Sequence, residues 1–178
     1  MVVEPTVTRD QVLAALDGRA HGGFKDSFST IDMSEAGMEL LFGASWLHRP
    51  PDSTPHATER RTWSAVTDAA ELADWTSRHD TSGVLLPGLL ARAHFRILAK
   101  RRGDQIVAGA VARLGSGVVD VSNVYGVPGN TVDWAELARD IQGHFPGGAI
   151  VGYERGEDLI GAKQGGFTAV GELRVWVR

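Results

Sequence analysis

The chain has 178 residues and a mass of 19.1 kDa, enough for one ordinary domain to bury a core without covalent staples. Hydrophobic residues make up 43% and charged residues 22%, which argues against wholesale disorder, and the absence of cysteine excludes disulfide frameworks, thiol nucleophiles and cysteine-ligated zinc. A net charge of -4 and a pI near 5.8 give no support to general nucleic-acid binding.

The first helix is expected from Thr8, which has capping-box spacing with Gln11; Val12, Leu13 and Leu16 supply an apolar face and Gly18 a stop. His21 to Ile31 reads as loop or strand. Glu39 to His48 reads as a strand, and Arg49 to His56, with Pro50, Pro51 and Pro55, as a loop. A short strand is expected at Trp63 to Val66. Asp68 and Glu71 repeat the capping-box spacing and open a helix carrying Ala69, Leu72 and Trp75 that ends near His79. A short helix is expected around Leu85 to Arg92, with Pro87 in its first turn.

From His94 the pattern sharpens. His94 to Lys100 alternates, Gln105 to Leu114 and Val118 to Tyr125 are further strands, and the turns between them are polar (101–104) or glycine-rich (Gly115-Ser116-Gly117). Together they predict an antiparallel meander. The basic run Lys100-Arg101-Arg102 reads as part of a solvated turn. Trp134, Leu137, Ala138, Ile141 and Phe145 fall on one face of an amphipathic helix. Ala149 to Tyr153 is a short buried strand. Glu157 to Gln164 is a short helix with Leu159, Ile160 and Ala162 inward, capped by Gly165-Gly166, and Phe167 to Val177 is the last strand. The second half is therefore β-β-β-α-β-α-β, a mixed α/β (α+β) sheet with helices packed on it.

No apolar run approaches the roughly 18 residues of a membrane span, and Met1 to Asp10 lacks the apolar stretch of a signal peptide. The expectation is a soluble, cytoplasmic protein with no membrane and no nucleic-acid partner. Residues 1–93 carry 8 basic and 13 acidic side chains and residues 94–178 carry 10 and 9, so the second half is the better place for an anionic ligand.

The element order and the run Ala162-Lys163-Gln164-Gly165-Gly166-Phe167 resemble the GNAT N-acetyltransferase superfamily, whose last helix ends in A-x-x-x-G-F before a strand. Val151-Gly152-Tyr153-Glu154 resembles the family strand before that helix, and 94–125 its central hairpins. The resemblance covers 94–178; residues 1–93 are a divergent part of one domain spanning 1–178. It implies acetyl-CoA as co-substrate and a small-molecule or peptide amine as acceptor. Two departures stand out. The family's Q/R-x-x-G-x-G/A loop, which holds pyrophosphate on backbone amides, corresponds to Gly126-Val127-Pro128-Gly129-Asn130-Thr131-Val132-Asp133, with no basic residue at its start and with Asp133 and Glu136 in the first helical turn. The tyrosine that many relatives place four residues before the G-F glycine is Ala162 here.

The resemblance places the reacting groups where the third meander strand and the short later strand splay apart. Glu154 is the candidate general base, its alternative an exposed glutamate beside Arg155. Ser122 and Asn123 form a polar pair inside an apolar strand; a bulge there would aim amides at an acyl oxygen, and the alternative is that the two side chains satisfy neighbouring backbone. Tyr125 and Tyr153 are the candidate acids for a leaving thiolate, or pocket walls. Backbone near Ser122, Asn123, Val124 and Tyr125 would orient the acyl group, and Gly126, Gly129, Asn130 and Thr131 would face the pyrophosphate. The six histidines show no metal-binding spacing, so no metal is expected. Two rival readings are a degenerate relative that binds a ligand or a protein without catalysis, and a homodimer formed through the last strand, where Leu173 and Val175 alternate.

Overall fold

The computed structural model describes every residue except 3, 18, 20, 53–60 and 80. Gly18 as helix stop and the Pro55 end of the proline loop lie outside the described residues. The order is α1 (Arg9–Ala15), β1 (Gly23–Asp26), β2 (Glu39–Arg49), β3 (Trp63–Ala65), α2 (Ala69–Ser77), β4 (Phe95–Arg102), β5 (Gln105–Gly115), β6 (Val118–Gly126), α3 (Trp134–His144), β7 (Ala149–Glu154), α4 (Gly156–Gln164) and β8 (Thr168–Val177). The fold is mixed α/β, as expected. The chain divides into two compact units, Met1–Trp46 with Ala169–Arg178, and Leu47–Thr168.

In the first unit β8 lies between β1 and β2, and pairs antiparallel with β1 from Gly23↔Val177 to Asp26↔Arg174. β8 is thus an inner strand, which corrects its expected role as a free edge for a second copy. Both halves of the Thr8–Gln11 capping box are made: the Thr8 amide donates to Gln11 Oε1 at 2.8 Å and the Gln11 amide to Thr8 Oγ1 at 3.4 Å. That start turns Val12 and Leu16 onto Phe24, Met33 and Trp176. Asp26 is fully buried and accepts the Phe28 and Ile31 amides at 3.1 and 2.8 Å, which closes the loop after β1.

In the second unit the strands run β7-β6-β5-β4-β3. β4, β5 and β6 form the expected meander, with a tight hairpin at Ser116 (φ 52°) and Gly117 (φ 83°), while Gly115 belongs to β5. One face of the sheet (Leu98, Ala110, Val119, Val121) packs on α3 and α4 through Leu137, Ile141 and Ala162. The other face (Ile97, Ala99, Val111) packs on α2 through Leu72 and Trp75. Lys100 and Arg101 are strand residues, not a solvated turn. Lys100 is paired with Glu136 of α3 and Arg101 with Glu71 of α2, one helix for each face.

Two local expectations change. The helix at 85–92 is only a 3-10 turn at Pro87–Leu89, held by i→i+3 bonds, with a glycine at its centre. Ile160 points outward at 58% exposure, because Leu159 and Ala162 share the inner face of α4 and Ile160 is rotated about 100° from Leu159. The end of α4 is a Schellman cap, as Gly165-Gly166 suggests: the Phe167 amide donates to the Ala162 carbonyl, the Gly166 amide to that of Lys163, and Gly166 has φ 88°.

Asp140 ties α3 to the start of β3. It is 5% exposed, and its Oδ2 accepts the Thr62 and Trp63 amides at 3.0 and 2.8 Å. Asp140→Ala leaves both amides without their acceptor and is expected to cost about 3 kcal/mol, with Asp140→Asn losing less than half of that because one oxygen remains; urea unfolding midpoints measure both.

Candidate functional site

β6 and β7 are parallel neighbours over three ladder pairs, Val118↔Ala149, Val119↔Ile150 and Asp120↔Val151. Beyond them β6 continues to Gly126 and β7 to Glu154 without a ladder between them. The cause is in β6. Against β5 its register slips by one residue: Gly109 opposes Tyr125 while Val111 opposes Ser122. The extra residue is accommodated at Asn123, whose φ is 50°, a left-handed conformation that asparagine tolerates better than most residues. A bulge bends its strand and ends pairing, so β6 is turned away from β7 and a slot opens. Asn123 Nδ2 donates to Ser122 Oγ at 3.2 Å. On the facing strand Gly152 lies against Val121, where an added Cβ would come within 2.8 Å of the Val121 carbonyl oxygen.

The bulge shifts the alternation of β6 by one residue, so that Val119 and Val121 before it and Val124 after it all face α3. Val124 and Val132 each pack against the core on the α3 side. Tyr125 packs on the α2 face, edge-on to Trp75 (ring centroids 5.0 Å) and to His79 (4.9 Å). Its phenol donates to the Trp75 carbonyl at 3.1 Å, and the Trp75 indole N–H donates to the Leu98 carbonyl at 2.9 Å. Burial pushes the Tyr125 phenol above its ordinary range. Its proton is engaged with the Trp75 carbonyl. Gly109 makes the arrangement fit: a Cβ there would fall 2.2 Å from Tyr125 Cε1 and 2.5 Å from Trp75 Nε1. His79 and Gly109 were not legible as site residues in the sequence. The one available sign was a glycine inside an apolar strand, which often marks a close approach.

Glu154 ends β7 and is half-buried. Burial, and secondarily the carboxylate of Asp158, push its carboxyl up to about 7, with Arg155 opposing. Strand alternation puts Glu154 on the Ile150 side and Tyr153 on the Tyr125 side of the sheet. The two candidate catalytic residues thus lie on different faces of the sheet.

Gly126 is the last residue of β6, and Gly129, Asn130 and Thr131 lie between it and α3. The Asn130 amide donates to the Val127 carbonyl at 2.9 Å around Pro128 and Gly129 (φ 81°), a type II turn. Gly126 has no room for a side chain, since its Cβ would lie 2.0 Å from the Asn130 carbonyl oxygen. α3 is capped by Asp133, which accepts the Glu136 amide at 3.0 Å. Ser122, Asn123 and the slot suit the acyl and thioester end of acetyl-CoA. The capped, acidic start of α3 does not suit its diphosphate. Among the described residues no group of three or more His, Asp or Glu side chains is placed to hold a metal ion, and no helix is long and apolar enough to cross a membrane.

No family model and no curated protein matches the sequence. Solved structures do resemble it. A GNAT-family protein from Novosphingobium aromaticivorans superposes with a TM-score of 0.62 at 15% identity over 93% of this chain and 77% of that one. A conserved protein of unknown function from Staphylococcus epidermidis gives a TM-score of 0.68 at 9% identity over 95% and 80%. A GCN5-related N-acetyltransferase from Kribbella flavida gives 0.60 at 15% identity over 94% and 71%. At such identities the agreement concerns the course of the backbone, and by that measure this chain has the GNAT fold.

Proposed function

We propose that the chain is an N-acyltransferase that moves an acyl group from a thioester to the amine of a small molecule or peptide, in the slot between β6 and β7. The observation that carries this reading is the slot itself: a parallel pair opened by a bulge at Asn123, with a half-buried carboxyl at its rim. Backbone amides beside Ser122–Val124 would orient the acyl carbonyl, and their dipoles would stabilise the charge that grows on its oxygen. The amine attacks the carbonyl carbon directly. An N–C bond forms, the C–S bond breaks, and no covalent enzyme intermediate is needed. Glu154 takes the amine's proton, directly or through one water. Tyr153 is the tyrosine left to protonate the departing thiolate, since Tyr125 is engaged with Trp75. Acetyl-CoA, which the resemblance implies, is the first donor to test.

A second reading is favoured by Ala162, where many GNAT enzymes carry a tyrosine: a body that binds a ligand or partner without turnover. Thiol release from acetyl thioesters in the presence of a panel of amines decides between them. Release above background supports the enzyme. A raised melting temperature with no release supports the binding module.

Two outcomes are expected for Glu154. The kcat/KM of the wild type should rise with pH through a midpoint near 7, as the carboxylate forms in the free enzyme, and Glu154→Gln should remove that limb and lower turnover about 100-fold. The same shift bears on stability. A carboxyl raised in the folded state favours its protonated form there, so its contribution is full below the unfolded value of about 4.5 and is lost as pH rises through 7. Glu154→Gln should therefore raise the melting temperature at pH 8 and leave it close to wild type at pH 4. A fall at pH 8 would contradict the burial argument.

A further inference from the structure

We infer that the donor is recognised through its acyl group and thioester arm alone, with no anchoring of a nucleotide diphosphate at the start of α3, so that a short acyl thioester serves as well as its nucleotide-bearing counterpart. The inference rests on the acyl-transfer reading above and adds the chemical class of the donor.

A diphosphate at a helix start is held by free amides and nearby cations. Along the preceding loop the Val127 amide donates to the Val107 carbonyl and the Asn130 amide to the Val127 carbonyl, both at 2.9 Å, and Pro128 has no N–H. In α3 the Glu136 amide is taken by the Asp133 carboxylate at 3.0 Å, and the Leu137 amide by the Asp133 carbonyl at 3.0 Å. Gly165 at the end of α4 lies beside the Ala135 nitrogen, and a Cβ on that glycine would stand 2.8 Å from it. At the Glu136 amide the Asp133 carboxylate stands where a phosphate oxygen would bond. It is itself the anion of this helix end.

Charge and volume point the same way. Residues 126–133 contain no lysine or arginine, and Asp133 and Glu136 bring two carboxylates to the first turn. Lys100, which reaches the first turn of α3, is paired there with Glu136. The first helical residue is Trp134, 2% exposed, whose ring sits edge-on to Phe167 at 5.5 Å and against Gly161, so the gap between the starts of α3 and the end of α4 is filled. None of these features reaches the bulge at Asn123, where the acyl end would lie.

The experiment has a binding arm and a kinetic arm, both on the full chain. 3′-Phosphoadenosine 5′-diphosphate at millimolar concentration should leave the melting temperature unchanged and give no heat on titration. Acetyl-CoA and S-acetyl-N-acetylcysteamine should have kcat/KM values within about threefold of each other with the same amine. Binding of this diphosphate, or a preference for acetyl-CoA of tenfold or more, would overturn the inference and leave acyl transfer standing. Failure of both thioesters to react or to shift the melting temperature would remove the acyl-transfer reading and the inference with it.

Discussion

One extra residue in β6 governs the second unit. Without the slip at Asn123, β6 and β7 would keep pairing to their ends, and parallel backbone hydrogen bonds would fill the space that is now a slot. The bulge also decides which way the following side chains face. It sets Val124 against the α3 core and Tyr125 against Trp75 on the other side. Polar and apolar functions that alternate along an ordinary strand are here re-aimed by a single backbone conformation.

The two faces are then held to the sheet by consecutive residues. Lys100 reaches Glu136 on α3, and Arg101 reaches Glu71 on α2. Partly exposed pairs of this kind contribute little stability each, and the apolar packing around Leu137, Ile141 and Trp75 carries more. Asp140, by contrast, is buried and accepts two amides from the start of β3, so it sets where that short edge strand begins.

Much of this was legible in the residues. The i, i+3, i+4, i+7 series from Trp134 gave α3, the turn residues gave the meander, and Ser122-Asn123 stood out as a polar pair where a strand had reason to bulge. Ala162 to Phe167 pointed to the end of α4 and its cap. What stayed hidden depends on residues far apart in the chain. Gly109 matters only because Trp75 and Tyr125 meet over it. Glu154 is raised by burial, which its neighbours in sequence do not determine, and β8 has no free edge because β1 and β2 flank it. Ile160 was misplaced because α4 is a short helix whose pattern admits more than one inner face.

The turn at 127–130 has a consequence for how a ligand arrives. Pro128 fixes its own φ, Gly129 holds the left-handed position, and the ends are joined by an internal hydrogen bond. A segment already in its final shape surrenders no conformational entropy on complex formation. A ligand entering at that side of the slot, as proposed, would meet a turn that needs no rearrangement to receive it.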